Sequence, residues 1–269
     1  MPGLWHAETM CIAYLALGDP LWPLLIAANR DEYHARPTAA AAPWADRPDI
    51  ISGLDLKAGG TWLGWTHAGR FALLTNFREP GAQRPDAPSR GMLVSDFLRG
   101  HLPAADYAAE VQTAGQRYNG FNLIVGDPQG ACYVGNRDPR QQVVSLTPGR
   151  YVLSNHLLNT AWPKATRLRT ALDAQAPGTL AADPDRVFAV LRDAQPADDR
   201  TLPNTGLSPE FERLLSSPFI VSPAYGTRCT TLIAVAADGS TMFSEQQYDP
   251  AGQACERHDW HIPVTLLPG

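Results

Sequence analysis

The chain contains no apolar run approaching the roughly 20 residues needed to cross a bilayer as a helix, so no integral membrane segment is expected. It also lacks any Lys/Arg cluster, and its formal net charge is −5, which argues against a nucleic-acid partner bound through phosphate neutralisation. Residues 1–9 have neither a basic n-region nor an apolar h-region and do not read as a secretory signal. Cysteine is sparse: Cys11, Cys132, Cys229 and Cys255 form no C-x-x-C pair. Without a signal they read as free thiols of a reducing compartment, so a cytoplasmic location is expected. Internal repeats, low-complexity segments and linkers are absent, and the 24 prolines and 22 glycines therefore read as turns.

Several catalytic signatures are missing too. No Gly-x-Ser-x-Gly elbow is present, which disfavours an α/β-hydrolase serine mechanism. Gly59-Gly60 is not followed by Lys-Ser/Thr and reads as a tight turn rather than a phosphate loop. His258-x-x-His261 has no third ligand nearby. Neither a metal nor a cofactor is expected.

What is there is a globular composition, 44% hydrophobic and 18% charged. Strand-like runs at 11–17 and 22–28 flank the turn Gly18-Asp19-Pro20, and runs at 61–66 and 70–75 flank His67-Ala68-Gly69. Helical periodicity follows from Met92 to Val111, strands resume at 121–125, 131–134, 142–146 and 150–154, and a second helical block starts near Trp162. Residues 194–223 read as a long loop with a short helix over 210–215. Strands are expected again at 230–236, 241–247 and 262–266. The pattern implies an α+β fold with a large, mostly antiparallel sheet system.

The first hairpin brings chemistry together. A turn centred at Asp19-Pro20 places Cys11 opposite about Ala28, so Asn29-Arg30-Asp31-Glu32 emerges beside the start of strand one. Cys11 directly follows Met10. If residues 1–10 are a leader absent from the mature domain, Cys11 carries a thiol (pKa about 8.5) beside a free α-amine (about 7.7 to 8.0), a nucleophile and its base in one residue. Read from the residues alone, each feature also has a plain structural meaning. Cys11 suits a buried strand, the 30–32 charges a solvated hairpin end, Asn76 and Asn155 turns, and Trp62, Trp65 and Phe77 core packing.

The blocks Met10-Cys11-Ile12, Ala28-Asn29-Arg30-Asp31-Glu32, Arg36-Pro37 and Trp44 resemble the NRDE family, also called the transport and Golgi organisation protein 2 family. The similarity continues through Gly53-Leu54-Asp55, Ala58 to Gly64, Leu74 to Arg78, Ser89-Arg90-Gly91 and Tyr118 to Leu123. It ends with Leu153-Ser154-Asn155, Trp162-Pro163-Lys164 and Tyr225 to Arg228. That family is similar to N-terminal nucleophile hydrolases, which implies a four-layer αββα sandwich over residues 11–269. The family typically begins Met-Cys, so residues 1–10 stand out as an extension. By pattern the chain is similar to choloylglycine hydrolases and penicillin V acylases, although order and spacing differ around Asn29–Glu32.

The resemblance implies a catalytic set of Cys11, Arg30, Asp31, Asn76, Asn155 and Arg228, with Asn29, Glu32, Trp62 and Phe77 as substrate contacts. In that set Asp31 holds the α-amine, Arg30 or Arg228 favours the thiolate, and Asn76 and Asn155 form an oxyanion hole. The implied activity is hydrolysis of a non-peptide carbon–nitrogen bond in a small-molecule substrate, through a thioester. Two rivals follow from the same resemblance: a non-catalytic protein binding an apolar ligand (lipid, acyl-CoA or haem), and a glutaminase of the amidotransferase type.

Overall fold

The structure, a computed structural model, describes residues 11–263. The leader expected over residues 1–10 and the end of the strand expected over 262–266 lie outside the described residues.

The first strand, β1 (Cys11–Leu17), and the second, β2 (Leu24–Tyr33), form the expected hairpin. They are followed by β3 (Thr38–Trp44), β4 (Arg47–Asp55), β5 (Leu63–Thr66) and β6 (Phe71–Asn76). Two helices come next, α1 (Gly91–Arg99) and α2 (Ala104–Ala114), then β7 (Phe121–Asp127), β8 (Gly130–Gly135), β9 (Val144–Leu146) and β10 (Gly149–Leu153). The second helical block comprises α3 (Pro163–Asp173), α4 (Pro177–Ala182), α5 (Pro184–Leu191) and α6 (Pro209–Leu214). Each of these four helices has proline in its first turn, where the missing N–H costs no intrahelical bond. The described chain ends with β11 (Tyr225–Val235), β12 (Thr241–Tyr248) and β13 (Ala254–Ile262).

The strands make two antiparallel sheets, ordered β10-β1-β2-β11-β12-β13 and β3-β4-β5-β6-β7-β8-β9. Strand periodicity assigns the layers. In β1, Ala13 and Leu15 join Ile26, Leu73, Ile124 and Ile233 in the core between the sheets. Ile12, Tyr14 and Ala16 pack instead against Leu168 and Leu172 of α3, Leu180 of α4 and Val187 of α5. On the far side, Leu74, Leu123 and Val125 meet Leu93, Phe97, Ala108 and Val111 of α1 and α2. The result is the four-layer αββα sandwich expected from the resemblance. Burial on both faces explains why β1 reads as a continuous apolar run rather than an alternating one.

Three details differ from the sequence reading. Cys11 pairs with Arg30 rather than Ala28, because the hairpin loop is closed by Gly18 N–H donating to the Pro23 carbonyl at 2.9 Å, a wider turn than one centred on Asp19-Pro20. Gly18 is required there: its φ is +80°, and a Cβ would sit 2.4 Å from Pro148 Cβ. Strands β3 and β4 were not foreseen, since an alanine-rich edge strand and a Pro/Gly/Asp-containing partner have weak strand propensity. Finally, β13 ends at Ile262, where a strand was expected to begin. Among the described residues no helix is long and apolar enough to cross a membrane.

Candidate active site

The site forms where β1 begins and β2 ends. Cys11 and Arg30 are direct partners and share the face toward the other sheet, as do Ala13 and Ala28 two residues along. Asp31, one residue past this pair, points to the opposite, helix-covered face. One strand end therefore serves two compartments.

On the inter-sheet face lies a cleft of about 840 Å³. Cys11, Arg30, Glu32, Trp62 and Asn76 line it and are all buried, while Lys57 and Arg84 are exposed at its mouth. The Arg30 guanidinium lies 4.3 Å from the Trp62 ring centroid and donates to Glu32 Oε2 at 3.3 Å. Glu32 is further held by the Tyr33 N–H at 2.8 Å and by Arg36, whose main partner is Asp55 at 2.5 Å. Burial raises the Glu32 carboxyl above its usual range, with Arg30 opposing. The Gly59-Gly60 segment is a turn, as expected: Gly60 has φ +80°, and a Cβ would fall 2.5 Å from the Gly91 main chain at the start of α1.

The helix-side compartment is sealed. Asp31 is fully buried; its Oδ1 accepts from Thr227 Oγ1 at 2.6 Å, and its Oδ2 has no hydrogen-bond partner among the described residues. A bulge between Thr227 and Cys229 brings Thr227 to this carboxylate while Cys229 stays opposite Arg30. Behind it, Lys164 Nζ on α3 donates to Asn155 Oδ1 at 3.3 Å, and Asn155 Nδ2 donates to the Asn76 carbonyl at 3.1 Å. Ser154 Oγ lies 2.9 Å from the Cys11 carbonyl oxygen. A buried ion pair, Arg78–Glu212 at 2.6 Å, closes the compartment, with Arg78 stacked over Trp162 at 4.5 Å.

Burial pushes the Cys11 thiol up to about 12, with the Asp31 charge adding to the rise; the Asp31 N–H and the Arg30 charge work the other way. Burial also raises the Asp31 carboxyl and lowers the Lys164 amine, and the attraction between the two opposes both shifts. A thiol so placed needs a local base to become a nucleophile.

Of the residues singled out in the sequence, Cys11, Arg30, Glu32, Trp62 and Asn76 converge on the cleft, and Asp31 flanks Cys11 from behind. Four others do not reach the cleft wall. Asn29 spends its amide hydrogens on the Leu191 and Pro218 carbonyls, on the helix side. Phe77 packs on His156, ring centroids 5.0 Å apart. Asn155 is a buried strut behind Asn76. Arg228 is the extra residue of the β11 bulge, and its guanidinium donates to the carbonyls of Tyr33, His34 and Arg36, bracing the end of β2. The sequence reading missed Lys164, Thr227, Ser154 and the Arg78–Glu212 pair. A signal existed for Lys164: it is one of only two lysines in the chain.

The geometry can now be set beside known proteins. A sequence model of the family described as Transport and Golgi organisation 2 matches residues 10–250. The chain belongs to that family. A mouse relative, Transport and Golgi organization 2 homolog, is 36% identical over 258 residues, covering 88% of this chain and 92% of the relative. The family's bovine homolog is 36% identical over 278 residues, 94% of this chain and 99% of its own length. Among solved structures, a Caenorhabditis elegans N-acylethanolamine-hydrolyzing acid amidase ortholog aligns with a TM-score of 0.49 at 14% identity, over 83% of this chain and 92% of that one. The family match starts at Met10, one residue before the strand that carries Cys11.

Proposed function

We propose that this protein is an N-terminal cysteine nucleophile hydrolase, acting as an amidohydrolase on a non-peptide carbon–nitrogen bond once residues 1–10 have been removed. One observation carries the reading. The Cys11 thiol lines an 840 Å³ cleft at the head of β1, while a buried carboxylate oxygen, Asp31 Oδ2, stands unpartnered among the described residues at that same strand end. A free α-amine on Cys11 would supply the missing donor and a base close to the sulfur.

In this scheme the α-amine takes the thiol proton and the sulfur adds to the substrate carbonyl. The oxyanion forms near Asn76, which lines the cleft. Collapse breaks the C–N bond, the leaving nitrogen takes the proton from the α-ammonium, and a thioester remains. Water, deprotonated by the same amine, then releases the acid and restores the thiol. Arg30 stabilises the thiolate and Asp31 orients the amine. Trp62, beneath Arg30, offers an apolar wall for an acyl portion of the substrate.

The test is intact mass of the natively expressed protein combined with an acyl-directed cysteine probe. The expected result is a chain beginning at Cys11 and labelled there. A chain that keeps Met1 and leaves Cys11 unlabelled sinks the proposal.

The burial of the thiol favours a second reading, a non-catalytic carrier of an apolar ligand (lipid, acyl-CoA or haem), because burial disfavours the thiolate. Cys11→Ala separates the two. It abolishes turnover under the first reading and leaves ligand binding intact under the second.

A further inference from the structure

Lys164 is 1% exposed, whereas the chain's other lysine, Lys57, is in water. Lysine heads ordinarily reach for solvent, because dehydrating the ammonium is costly. Packing alone would be served as well by methionine, which has similar length and no charge to bury. Here α3 turns the amine inward, onto Asn155 Oδ1. The charged and titratable groups acting on it come from three other elements and one connecting segment: Asp31 of β2, Cys11 of β1, Glu212 of α6, and Arg78 just after β6. Two paths lead from it to the nucleophile. One runs through Asn155 Oδ1, which also lies 3.0 Å from Ser154 Oγ, itself 2.9 Å from the Cys11 carbonyl oxygen. The other runs through Asp31, which also answers to Arg30 and Glu32 and whose N–H meets the Cys11 sulfur.

We propose that Lys164 is a positioning residue for the nucleophile: its buried ammonium anchors Asn155 and, opposite Asp31, supplies the positive field against which Cys11 gives up its proton. This rests on the reading of Cys11 as the nucleophile, but its test requires no turnover. A positive charge behind Cys11 favours the thiolate and disfavours a protonated amine, so both groups lose their protons at lower pH while Lys164 is charged. Lys164 thus does for the sealed side what Arg30 does for the cleft side.

With only two lysines, the full-length protein labelled with ¹³Cε-lysine gives two resonances, assigned with Lys57→Met. Lys164 is expected to titrate below the ordinary lysine value of about 10.4, and lower still in Asp31→Asn, which removes the opposing charge. Separately, alkylation of Cys11 by iodoacetamide at pH 7, where Lys164 is charged, is followed by peptide mass. Lys164→Met is expected to slow it about tenfold, the effect of a one-unit rise in the thiol, and Lys164→Arg to restore it. A Lys164 resonance that titrates normally and ignores Asp31→Asn overturns the proposal. So does a folded Lys164→Met protein whose Cys11 alkylates at the wild-type rate. Should Lys164→Met fail to fold, the titration in the wild-type and Asp31→Asn chains still decides. Retention of residues 1–10 would defeat the hydrolase reading while leaving both measurements readable.

Discussion

The two faces of the β1–β2 strand end hold similar numbers of polar groups and treat them differently. On the cleft face, Arg30, Glu32 and Arg36 form a chain of ion pairs that runs outward to half-buried Asp55. On the helix face, Asp31, Lys164, Arg78 and Glu212 are all 4% exposed or less. The cleft face can exchange partners with a ligand, because water and spare volume lie beside it. The helix face cannot, because each charge there depends on its protein neighbours for solvation. The sulfur of Cys11 belongs to the first compartment and Asp31 to the second. Binding should therefore respond to changes on one face, and proton transfer and stability to changes on the other.

The most severe break in that division is Asp31→Asn, nearly isosteric but uncharged. With Asp31 orienting the amine as proposed, its removal should lower kcat about 10²- to 10⁴-fold, with ligand affinity in the cleft retained by calorimetry. Equal loss of binding and turnover would mean that the two faces are not separate. Next is Glu212→Ala, which removes the carboxylate paired with buried Arg78. It should cost about 3–5 kcal/mol of unfolding free energy in a denaturant titration, against less than about 0.5 kcal/mol for Lys57→Ala at the exposed mouth. Trp62→Leu removes the ring beneath Arg30 and should weaken ligand binding by about 1 kcal/mol. It is expected as a rise in KM with kcat preserved, the reverse of the Asp31→Asn pattern.

The last expectation concerns the pH dependence of stability. Burial raises the folded-state pKa of Asp31 above its unfolded value, so the folded protein holds this proton more tightly. Its contribution to stability is complete below the unfolded value of about 4 and is lost as pH rises through the folded one. Asp31→Asn should therefore flatten the fall in stability from about pH 4 upward, measured as midpoints of urea unfolding. A slope unchanged by the substitution would place the carboxylate in a more solvated setting than the helix face provides.

Much of the fold was legible because its signals are local. Gly18, the apolar run after Cys11 and the proline-led helices each report on neighbouring backbone, and an α+β fold with a largely antiparallel sheet system follows from strands interrupted by two helical blocks, whereas the layer order came from the family resemblance. The strands β3 and β4 were not legible: Ala39 to Pro43 and the Pro48–Gly53 stretch carry little strand preference, and they are ordered by pairing with neighbours in the sheet. At the site, the hairpin was enough to bring Cys11 beside the 29–32 segment, within two residues of the observed register. It could not say which of those residues faces the cleft, since a shift of one residue exchanges the faces.

The sequence by itself determined that a cysteine opens the first strand and that Asn29, Arg30, Asp31 and Glu32 arrive next to it, because a short turn leaves the hairpin little choice. Only the tertiary structure decided which of them share a compartment with the sulfur. It also turned Lys164 inward and used the bulge at Arg228 to deliver Thr227 to Asp31. Those outcomes depend on contacts between segments far apart in the chain, where the cost of burying a charge is set by partners that no local pattern encodes.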